Sequence, residues 1–216
     1  MPVGRSVRQY DDPCGVARAL NVVGDRWALL IVRELLLGPK RFSDLQFGLN
    51  AISANVLSLR LADLEASGIV RKHRLESGRT AGYELTERGR DLRPVLLSLA
   101  EWGAPLPLTS AHDLTADALV LALQTGVDTD RPPVTGVFEL WVGPDVITLN
   151  MKGHTLSAAR GPAPSPTASV TTDPRTLRFV LSRRLPVPEA VSTGRLRIDG
   201  DVQAAHRLLE MFHQPR

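Results

Sequence analysis

The sequence is poor in cysteine and has nothing resembling a membrane span. Cys14 is the single cysteine among 216 residues, which excludes an intrachain disulfide and agrees with a reducing compartment. Apolar runs are short: Ala28 to Val32 is broken at once by Arg33 and Glu34, whereas a membrane helix needs roughly 20 apolar residues. The opening stretch MPVGRSVRQYDD is polar, without the apolar core of a signal peptide. A cytoplasmic, nucleoid-associated protein with no membrane insertion is expected. The G-x-S-x-G, H-E-x-x-H and Walker signatures are missing too, which argues against an enzyme. His206 and His213 stand seven apart and could share a helix face, but a metal site needs three or four ligands. Neither a metal nor a cofactor is expected.

What is present is ordinary globular composition, 43% hydrophobic and 23% charged, enough for one large or two small cores. The net charge of +3 names no partner by itself, but its distribution does more. Residues 1–108 hold 15 Lys and Arg against 12 Asp and Glu, and residues 109–216 hold 11 of each. The segment GAPLPLTSAHD (103–113) follows a long helical pattern with two prolines and small polar residues, which reads as a boundary. Two domains are expected, 1–108 and 109–216.

In the first half, apolar spacing predicts a helix around Val16, Leu20 and Val23 and another from Trp27 to Leu37, parted by Gly24 and Asp25. The second is apolar on nearly every side and is expected to be buried by neighbours or by a second subunit. Gly38 and Pro39 stop it. Ser43 reads as the cap of a short helix, with Phe42 packing inward. Ser53 opens SANVLSLRLADLEASG, closed by Gly68. Steps of roughly 100° per residue put Leu57, Leu61 and Leu64 on the inner face and turn Asn55, Ser58, Leu59 and Ala62 outward. A solvated helix usually carries Lys or Glu on that face, whereas a helix entering the roughly 12 Å major groove needs short hydrogen-bonding side chains at its leading end. Asn55 and Ser58 suit base edges, Arg60 suits a flanking phosphate, and Ser53 at the helix start is counted with the DNA-binding candidates. Lys40 and Arg41 supply further cations before the short helix.

From Ile69 to Thr86 the pattern changes to alternation, a hairpin with Ser77, Gly78, Arg79 and Thr80 at its tip. Arg71, Lys72, Arg74 and Arg79 face two acids, Glu76 and Glu84. After a helix-turn-helix such a hairpin fits a wing, strand cations on phosphates and Arg79 at the minor groove. Thr86 caps a last helix with Leu92, Val95, Leu96, Leu99 and Trp102 spaced as a buried stripe, and Pro94 predicts a kink or a late start.

The strings CGVARALNVVGDRW, LLIVRELLLGPKRFSDL, ISANVLSLRLADLEASGIV and YELTERGRDLRPVL, followed by EWG, resemble the HxlR-type winged-helix transcriptional regulators, relatives of the MarR group. The resemblance implies a homodimer held by its terminal helices, with two recognition helices reading a pseudo-palindromic operator in double-stranded DNA, most often as a repressor. The sequence departs from the family at Gly15, usually proline, and in the hairpin turn from Ser77 to Gly82. Some members sense electrophiles or oxidants at the position of Cys14. Here Asp11 and Asp12 work against a reactive thiolate, so Cys14 is read as a small buried hydrophobe.

In the second half, a helix from Leu114 to Gly126 capped by Thr115 precedes a hairpin of Gly136–Gly143 and Val146–Lys152. A proline-rich loop (161–169) follows, then a short strand at 170–172, a helix at 173–184, a strand at 195–198 and a last helix bearing Ala205, Leu208, Leu209 and Phe212. This order, and above all GRLRIDGDVQAAHRLLEMF, resembles the sterol carrier protein type-two fold, an open sheet whose helices cover an apolar tunnel. That resemblance implies a hydrophobic small-molecule or lipid effector, with Phe138, Leu140, Leu149, Met151 and Phe179 as lining candidates, residues that would equally fill an ordinary core. The fold class expected is α+β, a winged helix-turn-helix followed by an α/β sterol-carrier-like domain. The function expected is a ligand-modulated DNA-binding regulator. A lipid or acyl-chain carrier that uses the winged helix mainly to dimerise is the alternative.

Overall fold

The computed structural model describes residues 9–74, 81–107 and 112–212, and the chain forms two compact units that divide between Arg93 and Pro94. The hairpin tip with Arg79, and His213, lie outside the described residues.

The first unit contains α1 (Gly15–Val23), α2 (Ala28–Leu35), β1 (Lys40–Arg41), α3 (Phe42–Gly48), α4 (Ala54–Ala66), β2 (Val70–Arg74), β3 (Ala81–Leu85) and α5 (Glu87–Arg90). Its strands form an antiparallel sheet of order β1-β3-β2. The core gathers Ile31, Val32 and Leu35 of α2, Leu45 of α3, Leu57, Leu61 and Leu64 of α4, and Ile69, Val70 and Leu85 of the hairpin, all buried. At about 1.5–3 kcal/mol for each buried aliphatic side chain, this cluster dominates the local energetics. Gly68 closes α4 at φ +70, a conformation that glycine adopts without strain.

Several local expectations need correction. Helix α3 starts at Phe42, not after Ser43, because Asp44 in the first turn accepts from the Arg41 backbone N at 3.3 Å. Phe42 is only half-buried. Cys14 is exposed, not buried; it is the N-cap of α1, and its Sγ accepts from Ala17 N at 3.3 Å. Helix α1 turns Ala17 and Val23 inward and leaves Leu20 and Val16, which is 70% exposed, on the outside. The two-residue strand β1, unforeseen in the sequence, pairs Lys40 with Tyr83 and Arg41 with Gly82.

Helix α6 (Arg93–Gly103) is separate from α5, in keeping with Pro94, which cannot donate to a continuing helix. The expected buried stripe is not one: Leu96 is buried, but Val95, Leu99 and Trp102 are exposed, Trp102 by 69%. These three stand at i, i+4 and i+7 and make an apolar row along one side of the helix.

The second unit continues with α7 (Ala116–Thr125), β4 (Val134–Val142), β5 (Asp145–Gly153), β6 (Thr155–Arg160), β7 (Ala168–Thr172), α8 (Pro174–Leu181), α9 (Val187–Ser192), β8 (Leu196–Gly200) and α10 (Val202–Glu210). Its five-stranded sheet has the order β6-β5-β4-β7-β8, with β4 and β7 parallel and the other pairs antiparallel. Strand β6 and helix α9 were not foreseen; TLSAAR has one large apolar residue, Leu156, and lacks the alternation that marks a strand. Helices α7, α8 and α10 begin on side-chain caps, Thr115, Asp173 and Asp201, each worth about 1 kcal/mol.

One sheet face carries the core: Phe138, Leu140 and Val142 on β4, Ile147, Leu149 and Met151 on β5, and Ala168 and Val170 on β7, all buried. On the other face Glu139 is 7% exposed and accepts three hydrogen bonds at 2.9 Å, from Trp141 Nε1, Ser169 Oγ and Ala163 N. The Trp141 indole, opposed by the cost of burial and helped by Ser169 and Ala163, holds its carboxyl below the ordinary glutamate value. Arg160 on β6 donates to both carboxylate oxygens of buried Asp117 at 2.8 and 2.9 Å and to Asp145 at 2.5 Å. Burial works against its charge, but Asp117 and then Asp145 outweigh it and raise its pKa.

Candidate nucleic-acid interface

Helix α4 is placed by its own sequence. Ser53 Oγ accepts from Val56 N at 3.3 Å and starts the helix. Leu57, Leu61 and Leu64 then hold it to the core, so Asn55 and Ser58 are exposed on its outer side and Leu59 and Arg60 are half-exposed. Thirteen residues at 1.5 Å each make a rod about 20 Å long, enough to span the major groove. Helix α3 precedes it across a turn in which Ala51 adopts φ +72, a left-handed conformation costing roughly 1–2 kcal/mol outside glycine.

The cations expected on this surface are not equivalent. Arg60 Nη1 donates to Asp63 Oδ2 at 2.8 Å and also to Asp25, on the turn between α1 and α2. Arg71 is exposed and donates to Glu84 Oε1 at 2.7 Å, an oxygen that also lies 3.3 Å from His73 Nδ1. Lys72 Nζ stands 3.7 Å from Glu65. Arg74 ends β2 opposite Ala81. Exposed pairs of this kind are worth about 0–1 kcal/mol, little enough that a phosphate can take the acid's place. Arg41 is exposed. Lys40 is different: its side chain is 11% exposed and its ammonium lies 2.6 Å from Glu34 Oε2, with Arg33 at 2.7 Å on the other oxygen. Glu34 itself is fully buried. Lys40 is therefore directed inward, fixing β1 to α2.

Of the acids that hold these cations, Glu84 is already counted with the hairpin in the sequence, whereas Asp25, Glu34 and Asp63, isolated acids without periodic spacing, carry no local signal. Nor did spacing reveal that Phe47 on α3 would be 84% exposed.

In the second unit, Phe138, Leu140, Leu149 and Met151 come together on the core face of the sheet, with Phe138 opposite Leu149. Phe179 on α8 is half-buried, with the Arg175 and Arg178 guanidiniums 5.8 and 5.6 Å from its ring centroid. A pocket of about 260 Å³ in this unit is lined by other residues, among them Arg131, Val180, Arg183, Leu209 and Phe212. Among the described residues no three His, Cys, Asp or Glu are grouped to hold a metal ion, and no helix is long and apolar enough to cross a membrane.

A short helix, a turn, a second helix with a polar outer face and an antiparallel basic hairpin define a winged helix-turn-helix. Residues 22–107 match the HxlR-like helix-turn-helix family. The chain is 37% identical over 86 residues to the uncharacterized HTH-type transcriptional regulator YvaP of Bacillus subtilis, covering 39% of this chain and 80% of that one. It is 36% identical over 102 residues to a second regulator of that organism, YybR, covering 46% and 80%. Among solved structures, the reduced form of the transcriptional regulator YodB from B. subtilis shows 32% identity over 45% of this chain and 97% of its own, with a TM-score of 0.39. The chain belongs to the HxlR-like helix-turn-helix family of transcriptional regulators.

Proposed function

We propose that the protein is a homodimeric transcriptional repressor that binds a pseudo-palindromic operator and responds to a hydrophobic effector. The observation that carries the DNA reading is the leading end of α4, where Ser53, Asn55 and Ser58 are exposed and no Lys or Glu stands among them. Asn55 and Ser58 read base edges in the major groove, while Arg41, Arg60, Arg71, Lys72 and Arg74 take phosphates and Arg79 reaches the minor groove. Lys40 serves that surface from within, as the partner of Glu34. The exposed apolar rows of α1 (Val16, Leu20) and α6 (Val95, Leu99, Trp102) are covered by a second copy. We accordingly keep α6 with the DNA-binding domain, 1–108, a division supported by the family match through residue 107.

The remaining half, 109–216, acts as the sensor. Its open sheet with one helix-covered apolar face supports the sterol-carrier-like reading, in which an effector enters between that face and the helices, against Phe138, Leu140, Leu149, Met151 and Phe179. Such a ligand changes DNA binding only if it prefers one dimer geometry over the other.

A gel shift on the upstream region of the protein's own gene, across a salt series, tests the reading. A dimer making some 6 to 10 phosphate contacts should give a log–log slope near −5 to −9. A flat response, or binding indifferent to sequence, overturns it.

A further inference from the structure

We infer that the pocket between α8, α9 and α10 binds a small apolar organic acid, its carboxylate held between Arg131 and Arg183. This site is distinct from the sheet-face residues considered above. The apolar wall is made by Val180, Leu185, Val187, Leu209 and Phe212, with Arg131, Arg183 and Glu210 as its charged members. At about 260 Å³ it is slightly smaller than the roughly 300–1,000 Å³ of drug-sized sites, which suits a single ring with a short chain.

The geometry is built, not incidental. Val127 bridges to Phe212, and Asp128 N donates to Met211 O at 2.7 Å, fastening the loop that carries Arg131 to the end of α10. Arg183 holds the opposite side in an unusual way. It ends α8 in a turn closed by Arg183 N to Val180 O at 3.0 Å and Arg184 N to Phe179 O at 2.9 Å. This is a Schellman arrangement, and its left-handed position is normally filled by glycine. Here that position is arginine, at φ +56. A side chain kept at a strained backbone position points to a use for that side chain.

Both guanidiniums lean on one acid. Asp128 Oδ2 lies 3.6 Å from Arg131 Nε and 3.5 Å from Arg183 Nη2, and among the described residues neither arginine has another carboxylate within 4.0 Å. Two forked donors sharing one loosely held carboxylate leave most of their N–H groups unfilled, and each is matched in shape to a second carboxylate. Glu210 in the lining and Asp128 beside both arginines set two acids against two guanidiniums, which disfavours anions of higher charge and favours a monoanion with an apolar body over a phosphate. The proposal needs no DNA, so failure of the operator reading leaves it standing, and its own failure leaves that reading untouched.

Calorimetric titration of the full chain with 4-phenylbutyrate tests it, with 4-phenylbutanol and 4-phenylbutylamine as controls of the same skeleton. The acid should bind about tenfold tighter than the alcohol, and the amine weakest. Arg131→Ala and Arg183→Gly should each weaken the acid about tenfold and leave the alcohol unchanged. Glycine suits the left-handed position, so Arg183→Gly should melt no lower than the parent protein, which separates lost binding from lost folding. Equal affinities for acid and alcohol, full affinity in Arg183→Gly, or no measurable binding of the acid would each overturn the proposal.

Discussion

Arg60, in the middle of α4, is paired with Asp25 on the turn between α1 and α2, thirty-five residues earlier. The helix proposed to enter the groove thus has its one arginine drawn back by an acid from another element. Asp25→Asn should leave Asp63 as the one carboxylate on that guanidinium, loosening it toward a phosphate, and remove a negative charge from the approach to DNA. Operator binding should tighten about three- to tenfold at low salt, with a salt slope steeper by about one. Unchanged affinity in a titration at several ionic strengths, in Asp25→Asn and in Arg60→Ala alike, would show that Arg60 makes no phosphate contact.

Asn55 and Ser53 lie two residues apart but should fail differently. Asn55 is exposed and caps nothing in the structure, so Asn55→Ala should change folding stability by no more than about 0.5 kcal/mol. It should cost about 1–3 kcal/mol on the cognate site and relax preference at one base position. Ser53→Ala removes the N-cap bond to Val56 and should lower stability by about 1 kcal/mol. Urea unfolding beside binding to a randomised operator library distinguishes the two.

The row Val95, Leu99 and Trp102 bears on assembly. Leu99→Glu places a charge in the middle of that row, where the present side chain is 47% exposed. The variant should stay folded, run as a monomer by light scattering, and lose cooperative binding to a two-half-site operator while keeping weak binding to one half. A dimer persisting in Leu99→Glu would move the interface elsewhere.

Glu139 sets an acid limit on the second unit. Its folded carboxyl titrates below the ordinary value, chiefly through the Trp141 indole. The stabilisation is therefore complete above the unfolded glutamate pKa of about 4.3 and is lost as pH falls through the lower folded value. Trp141→Phe should cost about 1 kcal/mol at pH 7, and its deficit against the parent should narrow below about pH 4. Urea midpoints measured from pH 3 to 7 give the comparison; a deficit constant across that range would remove Glu139 as its cause.

Much of the first unit was legible because its signals are local. Ser53, Gly68 and Thr86 punctuate elements by their own chemistry, and the inner face of α4 follows from a 3.6-residue period. What stayed hidden depends on partners distant in the chain. Strand β1 exists because Lys40 and Arg41 meet Tyr83 and Gly82, and β6 because Thr155 to Arg160 meets β5. No short window contains either pairing. The exposed row of α6 has the same explanation from the other side: periodicity reports an apolar stripe but not what covers it. The cations of the reading surface could be named from the sequence, but apart from Glu84 in the hairpin not their partners, so inward-facing Lys40 and outward-facing Arg41 look alike there.

The buried Glu34 joins α2 to Lys40, and β1 joins Lys40 to Tyr83 in the hairpin. Helix α2 and the wing are thereby tied into one frame, and the groove-reading α4 is packed on the same core through Leu57, Leu61 and Leu64. In the proposed dimer, a signal then has two adjustable quantities, the distance and the tilt between two such frames. Half-site spacing becomes the variable to scan: inserting one base pair at the operator centre should mimic the induced state, whereas no change within a half-site should.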